Sequence, residues 1–342
     1  MAINIALDAM GGDAAPAIVV EGASLAIERG LDCHFHMFGD ASRIDLLLRS
    51  FPLLQDKVMV HHTDEAIPGD MKPAVAIRTL KRSSMRLAVQ SVADGVCQAV
   101  VSAGNTGAYM ALSKILLHTL SEIDRPAIAA KIPTIKGFCI GLDLGANVDC
   151  SFDNLVQFAV MGESLACRLL GKERPTVGLL NVGTEEQKGD VVVQEAAQLL
   201  KESDQINFIG FVEGDDITMG KADVVVTDGF TGNIALKSME GAVRLLFNLI
   251  KGSLSATFLG RLGYWIASSA FKNVRNKMDP RLHNGAVFLG LRSAAVKSHG
   301  GADALAFCYA IDVAASIASE IDSVGMGQEI ENKLQQIYGA SL

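Results

Sequence analysis

Short apolar runs alternate with longer amphipathic stretches along most of the chain. The apolar runs, many of them rich in valine and isoleucine, lie at 3–7, 34–38, 57–61, 99–102, 127–132, 138–142, 177–182, 207–211, 223–227 and 287–291. Several are apolar throughout, which is typical of strands that helices cover on both faces. The alternation predicts an α/β fold, a three-layer αβα sandwich with a mostly parallel sheet.

The amphipathic stretches predict helices between most of these strands. One covers 17–28 and follows a proline, a residue that favours the first turn of a helix. Others cover 154–170 and 302–320, where apolar residues recur at helical spacing. No repeat, low-complexity tract or linker divides the sequence. We therefore expect one catalytic unit over 1–342, with a protruding helical segment near 237–281.

Composition narrows the class of protein. Of the 342 residues, 49% are hydrophobic and 20% are charged, so the chain can bury a large core. The net charge of −8 argues against a nucleic-acid partner. The six cysteines form no CxxC pair, which favours reduced thiols over a zinc site or a disulfide framework. The sequence has neither the pattern of a signal peptide nor a run of ~20 apolar residues, so we expect a cytoplasmic protein.

Four of the predicted strands run into loops that are rich in glycine, and a fifth loop of the same kind lies near the C-terminus. These loops are 8–13 (DAMGGD), 102–108 (SAGNTGA), 180–189 (LNVGTEEQKG), 227–237 (TDGFTGNIALK) and 297–303 (KSHGGAD). The carboxyl ends of parallel strands meet at one edge of a sheet, where ligands bind. Glycine lets backbone N–H groups approach an anion, and a following helix adds its positive end. We therefore expect the five loops to form one phosphate-binding cleft.

Several common motifs are missing from these loops. Residues 104–107 do not complete GxGxxG, and 188–189 do not complete GxxxxGK[ST]. The sequence contains no GxSxG and no HExxH. Nucleotide-binding, serine hydrolase and zinc protease classes therefore have no support, and we expect neither a cofactor nor a metal site.

Taken together and in order, these loops and 210–214 (GFVEG) resemble the bacterial phosphate acyltransferases of phospholipid synthesis, the PlsX family. The match runs from residue 3 to about residue 320, and one departure is 292–294 (RSA), where the family usually has a glycine-containing turn. The resemblance implies the fold of the isocitrate and isopropylmalate dehydrogenase group, which phosphotransacetylases share. It also implies transfer of a fatty acyl group from acyl carrier protein to inorganic phosphate, by a homodimer that associates peripherally with the membrane.

The chemistry of this transfer decides which side chains are candidates. A thioester is already activated and phosphate is already nucleophilic, so the enzyme must hold both and stabilise an oxyanion, without a covalent acyl-enzyme. The catalytic candidates are Lys188 as a cation, Asn233 as an amide donor and His299, which could hold phosphate or protonate the thiolate. The phosphate-binding candidates are Gly104, Asn105, Thr106, Gly107, Thr231, Gly232 and Lys297, with Lys237 as a further cation. Lys188 could instead be a solvated charge, Asn233 a helix cap and His299 a structural histidine.

Two segments are candidates for contact with partners. Acyl carrier protein is acidic, and a basic docking patch is expected at Arg78, Lys81, Arg82 and Arg86. The spacing of the three arginines predicts one helix face, which could also be an ordinary solvated face. Segment 237–277 carries seven basic residues against one acid, together with many apolar ones, and three glycines at 252, 260 and 263 are expected to break it into at least two helices. It suits a membrane surface or a dimer interface, or else a buried hairpin.

Three other functions remain open at this point. The nearest is a phosphotransacetylase that acts on acyl-CoA and shares the phosphate cleft. A metal- and nicotinamide-dependent decarboxylating dehydrogenase would need converging aspartates and arginines, whereas these loops are rich in Gly, Asn and Thr. A non-enzymatic membrane scaffold built around 237–277 would leave the five loops unexplained.

Overall fold

The structure, a computed structural model, describes residues 3–320 and 323–339. Its strands are β1 (Ile3–Asp8), β2 (Cys33–Gly39), β3 (Val58–His62), β4 (Ala99–Ser102), β5 (Ala127–Thr134), β6 (Gly137–Leu142), β7 (Thr176–Leu180), β8 (Asn207–Val212), β9 (Val224–Val226), β10 (Ala286–Leu289) and β11 (Ala294–Lys297). Its helices are α1 (Ala17–Glu28), α2 (Ala41–Leu48), α3 (Pro73–Thr79), α4 (Ser84–Ala93), α5 (Thr106–Leu117), α6 (Phe152–Leu170), α7 (Val191–Glu202), α8 (Gly214–Met219), α9 (Gly229–Ser255), α10 (Phe258–Ile266), α11 (Ser268–Met278), α12 (Ala304–Glu320) and α13 (Ser323–Gly339).

The described strands form one sheet in the order β3-β2-β1-β4-β11-β10-β5-β6-β9-β7-β8. Apolar side chains pack against helices on both faces, with α1, α6, α12 and α13 on one face and α4, α5 and the start of α9 on the other. In β4, Val101 points to the first face and Val100 to the second. Strands buried on both faces are apolar throughout, and the predicted αβα sandwich is confirmed.

The strand directions divide this sheet into two halves. β10 is antiparallel to its neighbours β11 and β5, and β5 is antiparallel to β6, whereas the other pairings are parallel. Strands β1–β4 and β11 therefore run one way, and β6–β9 run the other way. The loops after β1, β4 and β11 lie at one edge of the sheet, called here the first edge. The loops after β6, β7 and β9 lie at the opposite, second edge.

This topology corrects one prediction from the sequence. The five glycine-rich loops do not share an edge, because the antiparallel strands β10 and β5 reverse the chain direction in the middle of the sheet. Strand β11 was also not predicted. Its sequence AAVK has two alanines and a lysine, which give a weak β pattern, and its pairing with β4 and β10 fixes it as a strand.

Helices α9, α10 and α11 form the segment that was expected near 237–281. α9 has 27 residues, begins at Gly229 and meets α10 at an angle of 119°. The break lies before α10, where the Thr257 hydroxyl accepts a hydrogen bond from the Gly260 N–H at 3.0 Å and caps the new helix. The predicted division into at least two helices is confirmed, but the breaks do not fall at glycines 252, 260 and 263, since all three lie inside helices. A helix tolerates a glycine at a cost of only ~1 kcal/mol.

The length and hydropathy of the described helices bear on whether this segment could cross a membrane. Among the described helices, none by itself has the length and apolar character needed to cross a bilayer, and the α9–α10 pair meets that requirement only when both helices are counted together across their bend.

The basic patch at 78–86 does not lie on one helix. Arg78 belongs to the last turn of α3 and Arg86 to α4, and residues 80–83 separate the two helices. The Thr63 hydroxyl donates to the Arg82 carbonyl at 2.6 Å, and the Arg82 N–H donates to Glu65 Oε2 at 3.0 Å. These bonds hold the backbone of Arg82 outside any helix, so the predicted face of three arginines is wrong.

Candidate active site

At the first edge, a buried carboxylate joins the loops after β1 and β4. Asp8 Oδ1 accepts from the Ser84 hydroxyl and Oδ2 from the Ser102 hydroxyl, each at 2.6 Å. A Cβ on Gly11 would lie 2.4 Å from Asp8 Oδ2 and 2.7 Å from the Gly104 N, so only glycine fits there. Burial raises the pKa of Asp8. Asp8 therefore orients loops.

The side chain of Asn105 is fully occupied in holding the loop after β4. Its Oδ1 accepts from the Ala108 N–H at 2.9 Å and so caps α5, while its Nδ2 donates to the carbonyls of Gly69 and Met71 at 2.8 and 2.9 Å. The structure thus places the amide of Asn105 in a structural role. Thr106 and Gly107 are exposed in the first turn of α5, where they can offer a hydroxyl and backbone N–H groups.

Lys297 is a buried cation beside this carboxylate. Its ammonium donates to the Ser298 carbonyl, and its exposed fraction is 8%. Burial lowers the pKa of Lys297 to about 8, while the nearby Asp8 and Asp13 act against that shift.

His299 is held in one tautomer by the loop after β11. Its backbone N–H donates to Asn284 Oδ1 at 3.1 Å, and the Gly301 N–H donates to its ring Nδ1 at 3.1 Å. An acceptor Nδ1 carries no proton, so this bond assigns the proton of the neutral ring to Nε2. Burial, followed by the charges of Lys237 and Lys297, lowers the pKa of His299. Nε2 lies 3.4 Å from Lys237 Nζ, and both groups are hydrogen-bond donors.

At the second edge, a loop that the sequence analysis missed follows β6. The Asp143 carboxylate accepts from the backbone N–H groups of Ile128, Gly145, Ala146 and Asn147 at 2.7–3.1 Å. Burial raises the pKa of Asp143. The sequence signal was present, because 142–147 (LDLGAN) is one more strand end followed by an aspartate and a glycine.

The start of α9 packs directly on this loop. Asp228 Oδ1 accepts from the Thr231 N–H at 2.8 Å, so Asp228 is the cap of α9 and Asn233 is not. A Cβ on Gly232 would lie 1.9 Å from the Asp143 carbonyl oxygen, which only glycine avoids. Asn233 is exposed beside Gly145. Within 3–320 and 323–339, its amide makes no hydrogen bond.

Lys188 lies on the neighbouring loop, after β7. Strands β7 and β9 pair with each other, and Leu180 and Gly232 line the same small apolar cavity. Asn181 Nδ2 donates to the carbonyls of Gly183 and Lys188 at 3.1 and 3.0 Å and so closes the loop. Lys188 is half-exposed, with Nζ 2.9 Å from Glu185 Oε1, and this ion pair raises the pKa of Lys188.

Helix α9 connects the two edges. Asn233 and Lys237 are four residues apart, so they are neighbours on one face of the helix. Lys237 then reaches His299 at the first edge, and it also pairs with Glu240 at 3.3 Å. The predicted residues Asn233 and His299 therefore lie at the two ends of one polar strip along α9, although their loops belong to opposite edges of the sheet.

Comparison with known proteins identifies the family. The model of the fatty acid synthesis protein family matches residues 3–322. The phosphate acyltransferase of Paramagnetospirillum magneticum is 52% identical over 319 residues, which cover 93% of this chain and 91% of the relative. That of Rhodospirillum centenum is 51% identical over 337 residues, covering 98% and 94%.

Solved structures with the same fold are more distant. A phosphotransacetylase from Streptococcus pyogenes has a TM-score of 0.61 at 16% identity, covering 93% of this chain and 94% of that protein. A protein described as a putative 4-hydroxythreonine-4-phosphate dehydrogenase, from Salmonella typhimurium, has a TM-score of 0.55 at 14% identity, covering 93% and 99%. These two share the fold alone. The family model and these bacterial relatives cover nearly the whole chain, which belongs to the fatty acid synthesis protein family, with the phosphate acyltransferases.

Proposed function

We propose that this acyltransferase moves a fatty acyl group from acyl carrier protein to inorganic phosphate. An oxygen of hydrogen phosphate attacks the thioester carbonyl carbon, and a C–O bond forms. The C–S bond then breaks, its electron pair leaves on sulfur, and the phosphate proton ends on the carrier thiol. A thiol such as that of cysteine has a pKa of ~8.5 in water. The carrier thiolate can therefore leave without a strong acid, and no covalent acyl-enzyme is needed.

The observation that carries this proposal is the pairing of Lys237 with His299. Two N–H donors 3.4 Å apart on different elements can both donate to one oxygen of a phosphate dianion. The Gly301 N–H bond to Nδ1 leaves Nε2–H as the donor of the neutral ring, and burial lowers the pKa of His299, which favours that neutral form. This favours phosphate binding over protonation of the thiolate as the role of His299. Lys297 adds positive charge behind it.

Asn233 and Lys188 are proposed to act on the thioester. The Asn233 amide can donate to the oxyanion of the tetrahedral intermediate without adding a charge that competes for phosphate. Lys188 is half-exposed and can exchange Glu185 for the substrate. A donor of this kind is worth ~10²–10³ in kcat.

Contacts with partners are proposed at two surfaces. Arg78, Lys81 and Arg82 are exposed, and α3 adjoins the loop after β4 through Pro73 and Gly107, so the acidic carrier can dock there beside the strip. Helices α9–α11 are proposed to make peripheral membrane contact or to pair with a second copy in a homodimer. The large exposed apolar side chains on these helices support this assignment, and they include Leu245, Leu249, Phe258, Leu259, Trp265 and Ile266.

Direct attack by phosphate is tested by acyl exchange. The enzyme is incubated with palmitoyl-carrier and labelled free carrier, with and without phosphate. We expect acyl phosphate, trapped by hydroxylamine, only when phosphate is present, and no label exchange in its absence. Exchange without phosphate would indicate a covalent acyl-enzyme, and turnover confined to palmitoyl-CoA would favour a phosphotransacetylase that uses acyl-CoA.

A further inference from the structure

A second, larger cavity lies between α6 and α12. Its volume is about 360 Å³, within the ~300–1,000 Å³ of sites that hold small organic ligands. Ala129 of β5 and Val287 of β10, which are partners in the sheet, form part of its floor, and Leu165 and Leu169 of α6 form part of a wall. These residues pack on the face of the sheet opposite to the start of α9.

The shape of the cavity follows from small residues. Ala129 leaves space above β5 between the two helices. Gly285 lets α12 approach closely, because a Cβ there would lie 3.0 Å from the Ala310 Cα and 3.1 Å from Val313 Cγ2. The result is a largely apolar space beside a tight contact.

Asn284 lies between the cavity and the polar strip. This residue lines the cavity, its Nδ2 donates to the Ser298 hydroxyl at 2.8 Å, and its Oδ1 accepts from the His299 N–H at 3.1 Å. One end of the cavity is therefore one residue away from the histidine that is proposed to bind phosphate.

We propose that this cavity holds the hydrocarbon chain of the acyl substrate, an inference that rests on the proposed function. The apolar walls supply the environment that a fatty chain needs. The lining also contains charged groups: Lys131 is half-buried, and Asp312 is paired with Arg29 at 3.3 Å. The thioester end lies toward His299, and the depth of the cavity limits chain length.

The test fills the cavity without touching the strip. Leu169→Trp narrows it, and Leu170→Trp makes the same change at a half-buried neighbour outside its lining. We expect Leu169→Trp to lower kcat/KM for palmitoyl-carrier more than tenfold and to leave that for octanoyl-carrier within about twofold, because each buried methylene is worth about fourfold. Leu170→Trp should keep the wild-type chain-length profile.

Two results would overturn the proposal. One is a Leu169→Trp profile that runs parallel to the wild-type profile, and the other is the same shift in Leu170→Trp. Wild-type enzyme without phosphate-dependent turnover on any chain would instead remove the proposed function.

A binding experiment tests the cavity proposal separately from the proposed function, and it does not depend on how the variants fold. Palmitoyl-carrier with a photoreactive group at the chain end is cross-linked to wild-type enzyme, and the labelled peptides are mapped. Labels at 129–131, 165–169 or 309–316 support the proposal, and labels confined to α9–α11 contradict it.

Discussion

At the scale of single residues, two buried carboxylates organise the loops of the candidate site. Asp8 and Asp143 each lie at the end of a strand, and their carboxylates accept hydrogen bonds from the loops around them. A buried carboxylate is costly unless it is hydrogen-bonded, and these bonds fix the loop backbones in return. The proposed function assigns the contacts with substrate to Lys188, Asn233, Lys237 and His299.

Lys188 carries the sharpest prediction at this scale. Lys188→Ala should lower kcat about 10²–10³-fold while the fold is kept, because one charged donor to the oxyanion is lost. The control is Lys57→Ala, whose ammonium pairs with Asp32 at 3.0 Å away from the loops of the candidate site, and its kcat should stay near wild type. A folded Lys188→Ala enzyme with near-normal turnover would exclude Lys188 from the mechanism.

Lys297 predicts a pH dependence of stability. Its pKa is about 8 in the folded protein and ~10.4 when unfolded. Between these values the unfolded chain binds more protons, so the free energy of unfolding should rise with pH, by about 1.5 kcal/mol between pH 8 and 9.5. Urea unfolding should show this rise in wild type and in Lys201→Met, but not in Lys297→Met. An equal rise in Lys297→Met would contradict the burial of a charged lysine.

At the scale of elements, the sequence predicts what depends on local pattern. Helix α1 and strand β4 were predicted at their observed bounds, since their apolar spacing is clear. The spacing of apolar residues is the same whichever way a strand runs in the sheet, so the division of the loops between two edges could not be predicted. Nor could the saturation of Asn105, whose partners at Gly69 and Met71 are far away in sequence.

The helix that joins the edges depends on one glycine. Gly232→Ala would place a Cβ 1.9 Å from the Asp143 carbonyl oxygen, so the start of α9 must move. We expect a loss of ~1–3 kcal/mol in the free energy of unfolding and at least tenfold in kcat/KM for phosphate. Gly241→Ala, in open space on the same helix, should gain up to ~1 kcal/mol and keep its activity. Equal changes in stability and in kcat/KM for the two variants would contradict the proposal that Gly232 positions the start of α9 for phosphate binding.

At the scale of the whole molecule, the proposed function brings an acidic partner to an acidic protein. The net charge is −8, so docking of the carrier depends on a local basic surface. The structure divides the basic patch between α3, α4 and the turn between them, and leaves Arg78, Lys81 and Arg82 exposed.

Reversing this charge should affect one substrate only. The triple variant Arg78→Glu, Lys81→Glu, Arg82→Glu should raise KM for acyl-carrier at least tenfold and weaken its salt dependence, because long-range attraction is lost. KM for phosphate should not change. Steady-state kinetics at low and high salt measure both, and an unchanged KM for acyl-carrier would place docking elsewhere.

The central claim is that phosphate attacks a thioester of acyl carrier protein on the strip along α9. Its most direct test is the release of free carrier thiol from palmitoyl-carrier by purified enzyme, with and without phosphate, beside palmitoyl-CoA. We predict release that requires phosphate, yields acyl phosphate and strongly favours the carrier thioester. Release that ignores phosphate, or turnover of the CoA thioester alone, would contradict the account.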